Sequence, residues 1–352
     1  MDEVEKLKVA VIGCGSIAKY RHLPEYTQNP NVELVAVCDI VEARAKEMAA
    51  LYGVKAYTDY EDVLKIKYLD AVSVCLPNYL HAPVSVAALN AGKHVLCEKP
   101  MATSREEAEK MIVAARENDK KLMIAHNQRF VSSHQKARQL IANGELGKIH
   151  SFRTAFGHGG PEGWSVDGKD SWFFRKDEAF IGAMGDLGVH KADLLRYLLG
   201  EEFVEVVSMI ETSSKDFADV DDNAVCILKS ESGIIGTLAA SWAYTAKEDN
   251  STIIYGQKAI LRLEDDPNYS LVVQYANGEV VKYELGAIQS NEDGGQTTSH
   301  TINHFVDAIL HNEEPPVNGE EGLKSLEVIL ASLESMATKR FIKINTGDAR
   351  GC

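Results

Sequence analysis

The sequence predicts an α/β protein in two parts: an N-terminal doubly wound parallel sheet over residues 1–128, then an α+β domain over 129–352 with a large, mostly antiparallel open sheet. Three observations carry this prediction. The chain has 352 residues, enough for two domains of ~150 each. From Lys6 onward, short β-branched runs alternate with helical patterns, the rhythm of stacked βαβ units. After about residue 148 that rhythm gives way to strands joined by hairpin turns, the mark of antiparallel pairing.

In the first part, L-K-V-A-V-I-G (7–13), V-E-L-V-A-V-C (32–38), A-V-S-V-C-L (71–76), H-V-L-C (94–97) and L-M-I-A-H (122–126) read as strands. The segments 41–52, 80–91 and 104–118 read as amphipathic helices, and Ser104 with Glu107 fits a capping box at the start of the last one. In the second part, strands are expected at 149–156, 204–211, 223–229, 234–242, 251–256, 259–264, 271–275 and 280–284, with turns such as S-E-S-G and A-N-G-E between them. Helices are confined to 133–142, 186–199, about 300–311 and 319–338. The least regular stretch, G-H-G-G-P-E-G-W-S-V-D-G-K-D (157–170), reads as one substrate-facing loop.

Composition narrows the class. A content of 45% hydrophobic and 25% charged residues fits ordinary globular packing. No apolar run approaches the ~18 residues that span a bilayer. The start M-D-E-V-E-K lacks the basic-then-apolar order of a signal peptide, so a cytoplasmic protein is expected. A net charge of −15 argues against nucleic acid or an anionic membrane as partner. The six cysteines, Cys14, Cys38, Cys75, Cys97, Cys226 and Cys352, contain no C-x-x-C pair and suit buried thiols. His300 and His304 have the i,i+4 spacing of helical zinc ligands, but the central Glu and a third ligand are missing, so no metal is expected.

G-C-G-S-I-A (13–18) follows the first strand and opens a helix, the setting that a G-x-G-x-x-G/A dinucleotide fingerprint requires. Gly13 permits the tight turn and Gly15 lets the backbone approach a pyrophosphate. Ser16 and Ile17 begin the helix whose open N–H groups meet the phosphates. Asp39 ends the second strand, where a carboxylate accepts from both adenosine ribose hydroxyls and repels a 2′-phosphate, which favours NAD over NADP. A flavin or S-adenosylmethionine is the alternative ligand for the same turn.

Further along, H-V-L-C-E-K-P (94–100) puts Glu98 and Lys99 at the carboxyl end of a buried strand, where doubly wound sheets bind ligands. Desolvation and a neighbouring positive nicotinamide would suit Lys99 to proton transfer. P-N-Y-L-H (77–81) follows another strand end, so Pro77 and Asn78 line the same crevice, while His81 either reaches the cofactor or caps its own helix. In G-D-L-G-V-H-K-A-D (185–193), Asp186 and His190 stack on one helical face. Asp186 is then either a helix cap or half of an acid/base pair.

Taken together, G-C-G-S-I-A, C-L-P-N-Y-L-H, H-V-L-C-E-K-P and G-A-M-G-D-L-G-V-H-K-A-D resemble the glucose-fructose oxidoreductase / inositol dehydrogenase / rhizopine catabolism (Gfo/Idh/MocA) family. The likeness runs over essentially the whole chain, including H-F-V-D-A-I-L near 304 and P-P-V-N-G-E-E-G-L at 315–323. It implies a Rossmann domain followed by a domain with a large open sheet. By the same resemblance Lys99 contacts nicotinamide ribose and substrate hydroxyl, His190 accepts the proton and Asp186 binds substrate. Trp172 falls near the nicotinamide, and Asn78 and His81 fall on a cofactor-contacting loop. Arg175, in W-F-F-R, matches no family position as closely and is grouped with the substrate residues. His158 and Trp164, in the glycine-rich loop, and His300 join that group from position alone.

The mechanism these roles imply is oxidation of a secondary hydroxyl. Its proton must leave as hydride departs the same carbon, so a base (His190) and a cation (Lys99) act on one oxygen while Asp186 holds a neighbouring hydroxyl. A sugar, a glycoside or a cyclitol fits such a site. Redox-assisted glycoside cleavage is the alternative chemistry, and a nucleotide-binding regulator the alternative class. Lys99, Asp186 and His190 are all present, which weighs against the regulator. An open sheet with an exposed face is usually covered by a partner, so a homodimer or homotetramer through the C-terminal sheet is expected.

Overall fold

The computed structural model describes residues 6–286 and 299–346, which form two compact units. The first takes in residues 6–127, 164–168 and 299–323; the second takes in 128–163, 169–286 and 324–346. The chain thus passes from one unit to the other several times, where a division at residue 128 has it pass once.

The first unit holds six parallel strands, β1 (Leu7–Ile12), β2 (Val32–Cys38), β3 (Lys55–Tyr57), β4 (Ala71–Val74), β5 (His94–Cys97) and β6 (Leu122–Ile124), in the order β3-β2-β1-β4-β5-β6. β1 pairs with β2 on one side and β4 on the other, so the winding reverses at β1/β4. In such sheets the ligand crevice lies at the carboxyl ends beside that reversal. Five helices belong to this unit's chain before residue 127: α1 (Leu23–Gln28), α2 (Glu42–Tyr52), α3 (Tyr60–Leu64), α4 (Asn78–Asn90) and α5 (Arg105–Glu117). All four residues of β4 are buried, which is why it reads as an unbroken apolar run. β3 and α3 escape the sequence pattern because β3 is a short, largely exposed edge strand and α3 has one buried residue. At the start of α5, Ser104 Oγ accepts from Glu107 N (3.2 Å) as a capping box requires. The return bond is displaced by one residue, because Glu107 Oε2 accepts from Thr103 N (3.0 Å) and Oγ1 (2.7 Å).

The second unit is built on nine strands: β7 (Ile149–Gly157), β8 (Phe203–Glu211), β9 (Asn223–Ser230), β10 (Ile235–Ser241), β11 (Thr252–Gly256), β12 (Ala259–Leu263), β13 (Leu271–Tyr275), β14 (Val280–Tyr283) and β15 (Ile342–Lys343). Their order is β14-β13-β12-β11-β7-β10-β9-β8-β15. Every pair is antiparallel except β7 with β10, a parallel pair that a reading by hairpins alone does not foresee. The helices are α6 (Ser132–Ala142), α7 (Lys176–Ala179) and α8 (Val189–Leu199). β9 shows how the sheet is covered on one side. Ala224, Cys226 and Leu228 face a core shared with Leu194, Leu195 and Leu198 of α8, while Val225 and Ile227 face outward, each 47% exposed. Near the end of the chain, α9 (Thr301–Leu310) belongs to the first unit, and α10 (Gly319–Thr338) begins in the first and continues in the second. Among the described residues no helix is long and apolar enough to cross a membrane. Cys14, Cys38, Cys75, Cys97 and Cys226 are buried free thiols; Cys352 lies outside the described residues.

Candidate active site

Gly13 has φ +97°, and a Cβ there would sit 2.0 Å from the Cys75 carbonyl oxygen, so only glycine lets the turn after β1 press against the end of β4. At Gly15 a Cβ would meet nothing within 4 Å: the backbone there faces open space, as close approach of a pyrophosphate requires. A helix begins at Ser16, and the N–H groups of a first turn have no acceptor inside their own helix. Asp39 is buried and braces this turn, Oδ2 accepting from Cys14 N (2.9 Å) and Oδ1 from Val41 N (2.8 Å). Each carboxylate oxygen has a second lone pair, which fits it to accept from the ribose hydroxyls. Arg44 stands 3.6 Å from Asp39 and also pairs with Asp167 (3.1 Å). The residues present therefore fit NAD.

The expected single loop over 157–170 divides in two. Residues 157–163 belong to the second unit, while 164–168 belong to the first, where Ser16 Oγ donates to the Trp164 carbonyl (2.9 Å). Trp164 thus stands beside the glycine turn.

Pro77 precedes α4, and Asn78, its first residue, is buried. His81 is the fourth residue of α4, so it does not cap that helix. Its ring nitrogens lie 2.7 Å from the Pro100 carbonyl and 2.8 Å from the Leu76 carbonyl, tying the β4 end to the segment that follows Lys99. Burial pushes its pKa down, against the pull of both carbonyls. Glu98 points into a buried group: Oε1 meets His22 Nε2 at 2.8 Å, His22 Nδ1 meets Ser73 Oγ at 3.0 Å, and Ser73 Oγ meets Tyr26 OH at 2.8 Å. Burial pushes the Glu98 carboxyl up, but the His22 bond and charge, with Arg21 and Lys99 nearby, outweigh it and hold the pKa at about 2. Arg21 and His22 come from a π-helical turn (Ala18–His22) inserted before α1. Lys99, partly buried, follows β5 and precedes Pro100.

In the second unit, Asp186 and His190 are both under a tenth exposed. The helix that carries them starts earlier than expected and in a wider form. A π-helical turn (Met184–Gly188) holds Asp186, and α8 begins at Val189. Asp186 therefore lies inside the helix, and the capping reading fails. Its Oδ2 accepts from Trp242 Nε1 (3.1 Å), an indole 1% exposed and edge-on to Phe174 (5.7 Å between centroids). Phe156 brings the two histidines to one ring: His190 is 5.9 Å and His158 6.1 Å from it, centroid to centroid. His158 Nδ1 accepts from Gly160 N (2.9 Å), which fixes its tautomer with the proton on Nε2. The structure thus gathers His158, Asp186 and His190 with Trp242 and Phe156, neither of which the sequence singled out. Trp172 is half-buried in the same unit, stacked on Phe173 (3.9 Å, 20°). Arg175 is exposed and bonded locally, to the Asp170 carbonyl (3.1 Å) and Glu178 (3.1 Å). His300 is exposed in the first unit, with φ +60° ahead of α9.

Residues 7–126 match the family model described as "Oxidoreductase family, NAD-binding Rossmann fold", and residues 134–262 match the "GFO/IDH/MocA C-terminal domain". The chain belongs to the Gfo/Idh/MocA oxidoreductase family. Residues 7–126 are thus its NAD-binding Rossmann domain. It is 30% identical over 271 residues to levoglucosan dehydrogenase of Pseudarthrobacter phenanthrenivorans, covering 68% of each chain. It is 27% identical over 344 residues to myo-inositol 2-dehydrogenase of Thermotoga maritima, covering 96% of this chain and 98% of the relative. Among solved structures, GenD2 from gentamicin A biosynthesis in complex with NAD superposes with a TM-score of 0.84 at 26% identity, covering 98% of each chain.

Proposed function

We propose that this oxidoreductase oxidises a secondary hydroxyl of a sugar, glycoside or cyclitol to a ketone, with bound NAD supplying the hydride acceptor at nicotinamide C4. The observation that carries this reading is the Asp186/His190 pair, buried one turn apart, with Asp186 held by Trp242 Nε1 at 3.1 Å. The relatives named for levoglucosan and inositol oxidation support the substrate class.

In this reading a ring nitrogen of His190 takes the hydroxyl proton. The Lys99 ammonium steadies the oxygen that loses it and holds the ribose. Asp186, with one oxygen fixed by Trp242, accepts from a neighbouring hydroxyl and so selects the carbon presented. His158 offers an Nε2–H to a further hydroxyl. Gly13, Gly15, Ser16, Ile17 and Asp39 hold the dinucleotide, with Pro77, Asn78, His81, Glu98 and Trp172 on the cofactor side; Trp164, Arg175 and His300 are assigned to substrate. The same reading makes it a cytoplasmic homo-oligomer joined through the outward face of its large sheet.

The test is a screen for NAD reduction over inositols, aldoses, anhydrosugars and glycosides, with Lys99→Ala and His190→Ala as controls. Sustained NADH formation that both substitutions abolish is expected. Glycoside cleavage without net NADH would assign redox-assisted cleavage instead, and full activity in both variants would overturn the mechanism.

A further inference from the structure

We propose that Asp221 is a positioning residue for the Asp186/His190 pair, and that its neighbour Asp222, acting through Lys215, positions the glycine-rich loop 157–163. The proposal rests on the function just assigned to that pair. Both aspartates are buried, in the turn that leads into β9.

Asp221 gathers three successive amides. Its Oδ1 accepts from Gly182 N (2.7 Å), its Oδ2 from Met184 N (2.8 Å) and its carbonyl from Ala183 N (2.9 Å). These amides open the helix that carries Asp186, and the helix supplies no side-chain cap of its own there. Asp186 N in turn donates to the Gly182 carbonyl (2.9 Å), so the residue Asp221 grips is bonded directly to Asp186. The fit is close: a Cβ on Gly182 would lie 1.8 Å from the Asp221 carbonyl oxygen.

Asp222 works in the other direction. Its carboxylate accepts from Ser213 N (2.8 Å), Ser214 N (2.7 Å) and Lys215 N (2.6 Å). Lys215 Nζ then donates to the Gly159 carbonyl (2.8 Å) and pairs with Glu162, which fixes the loop bearing His158. The Asp222 carbonyl also accepts from Trp242 N (2.7 Å), whose indole holds Asp186. Two adjacent acids thus set the two groups of substrate residues in register. Their environments differ: burial pushes the Asp221 carboxyl up to about 6, against the pull of its amides, whereas the Asp222 carboxyl, though burial raises it, is held below its ordinary value by its donors.

Acting on different groups, the two arms should separate in kinetics. The full chain is assayed with NAD and whichever of myo-inositol, levoglucosan, D-glucose and methyl glucoside is oxidised fastest. An amide at Asp221→Asn keeps one acceptor and loses the other, so kcat should fall about tenfold or more with KM within about threefold. Lys215→Met should raise KM about tenfold with kcat within about threefold. NAD affinity should be unchanged in both. Amide hydrogen exchange should rise over 182–190 in Asp221→Asn and over 157–163 in Lys215→Met. Should Asp221→Asn fail to fold, Asp221→Glu is measured in the same way: its carboxylate stands one methylene further out and displaces the Gly182 and Met184 amides, so the same fall in kcat is expected.

An Asp221 variant with normal kcat, unchanged exchange over 182–190, or kcat and KM moving together in both variants would overturn the proposal. If His190→Ala leaves activity intact, the role assigned to His190 fails, and if no probe is oxidised the assigned function fails; in either case the exchange pattern still decides whether Asp221 sets the helix start.

Discussion

Trp242 is the residue whose contribution is easiest to isolate, because its donor can be removed while its bulk is nearly kept. Trp242→Phe retains an aromatic ring beside Phe174 but takes away the Nε1 bond to Asp186. A hydrogen bond to a charged group contributes ~1.5–3 kcal/mol, so kcat/KM should fall about 10–100-fold, with Tm lowered by only a few degrees. Steady-state kinetics and a melting curve check this; an unchanged kcat/KM would mean that the indole does not set Asp186. Lys99, Asp186 and His190, the residues of the proposed chemistry, could be picked out as candidates in the sequence because a strand end or a helical spacing marks each of them. Trp242, Phe156, Asp221 and His22 were not, because they meet their partners across the fold. Trp242, for instance, is 56 residues from Asp186, and no local periodicity encodes such a contact.

Among the elements, two π-helical turns place residues of the proposed site or their partners: Ala18–His22 brings Arg21 and His22 to Glu98, and Met184–Gly188 carries Asp186. Such turns recur at functional sites, but the extra residue leaves no mark in an apolar pattern read at 3.6 residues per turn. The strands and long helices were legible for the opposite reason, since alternation and helical stripes record which face is buried; the start of the helix at 184 and the parallel β7/β10 pair were set by tertiary contacts. The first of these turns predicts a pH effect. The Glu98 carboxyl lies at about 2 in the fold against 4.5 for the ordinary group, so its contribution is fully present above pH 4.5 and lost as the pH falls towards 2. A depression of that size is worth roughly 3 kcal/mol. Urea unfolding at pH 7 and at stepwise lower pH should show this loss, and Glu98→Gln should be less stable at pH 7 and lose less on acidification. An identical acid dependence in that variant would place the stabilisation elsewhere.

At the scale of the whole molecule, the change from a βαβ rhythm to hairpin strands announced the parallel and the mostly antiparallel sheet, but not the return of 164–168 and 299–323 to the first unit, which no composition shift marks. The outward sheet face carries Met209 (79% exposed), Ile235 (50%), Val225 and Ile227 (47% each). Apolar side chains exposed together on one sheet face are ordinarily covered. If the proposed homo-oligomer joins through this face, Ile227→Lys should lower the mass in light scattering to that of a monomer, and an unchanged oligomeric mass would exclude this face as the joint. In the proposed mechanism His190 removes the proton of a carbohydrate hydroxyl, which kcat/KM of His190→Ala, measured alongside its NAD affinity, tests. General base catalysis contributes about 10²–10⁴-fold, so a fall of that size is expected with NAD affinity unchanged. Activity within a few-fold of the parent, with NAD still bound, would contradict it.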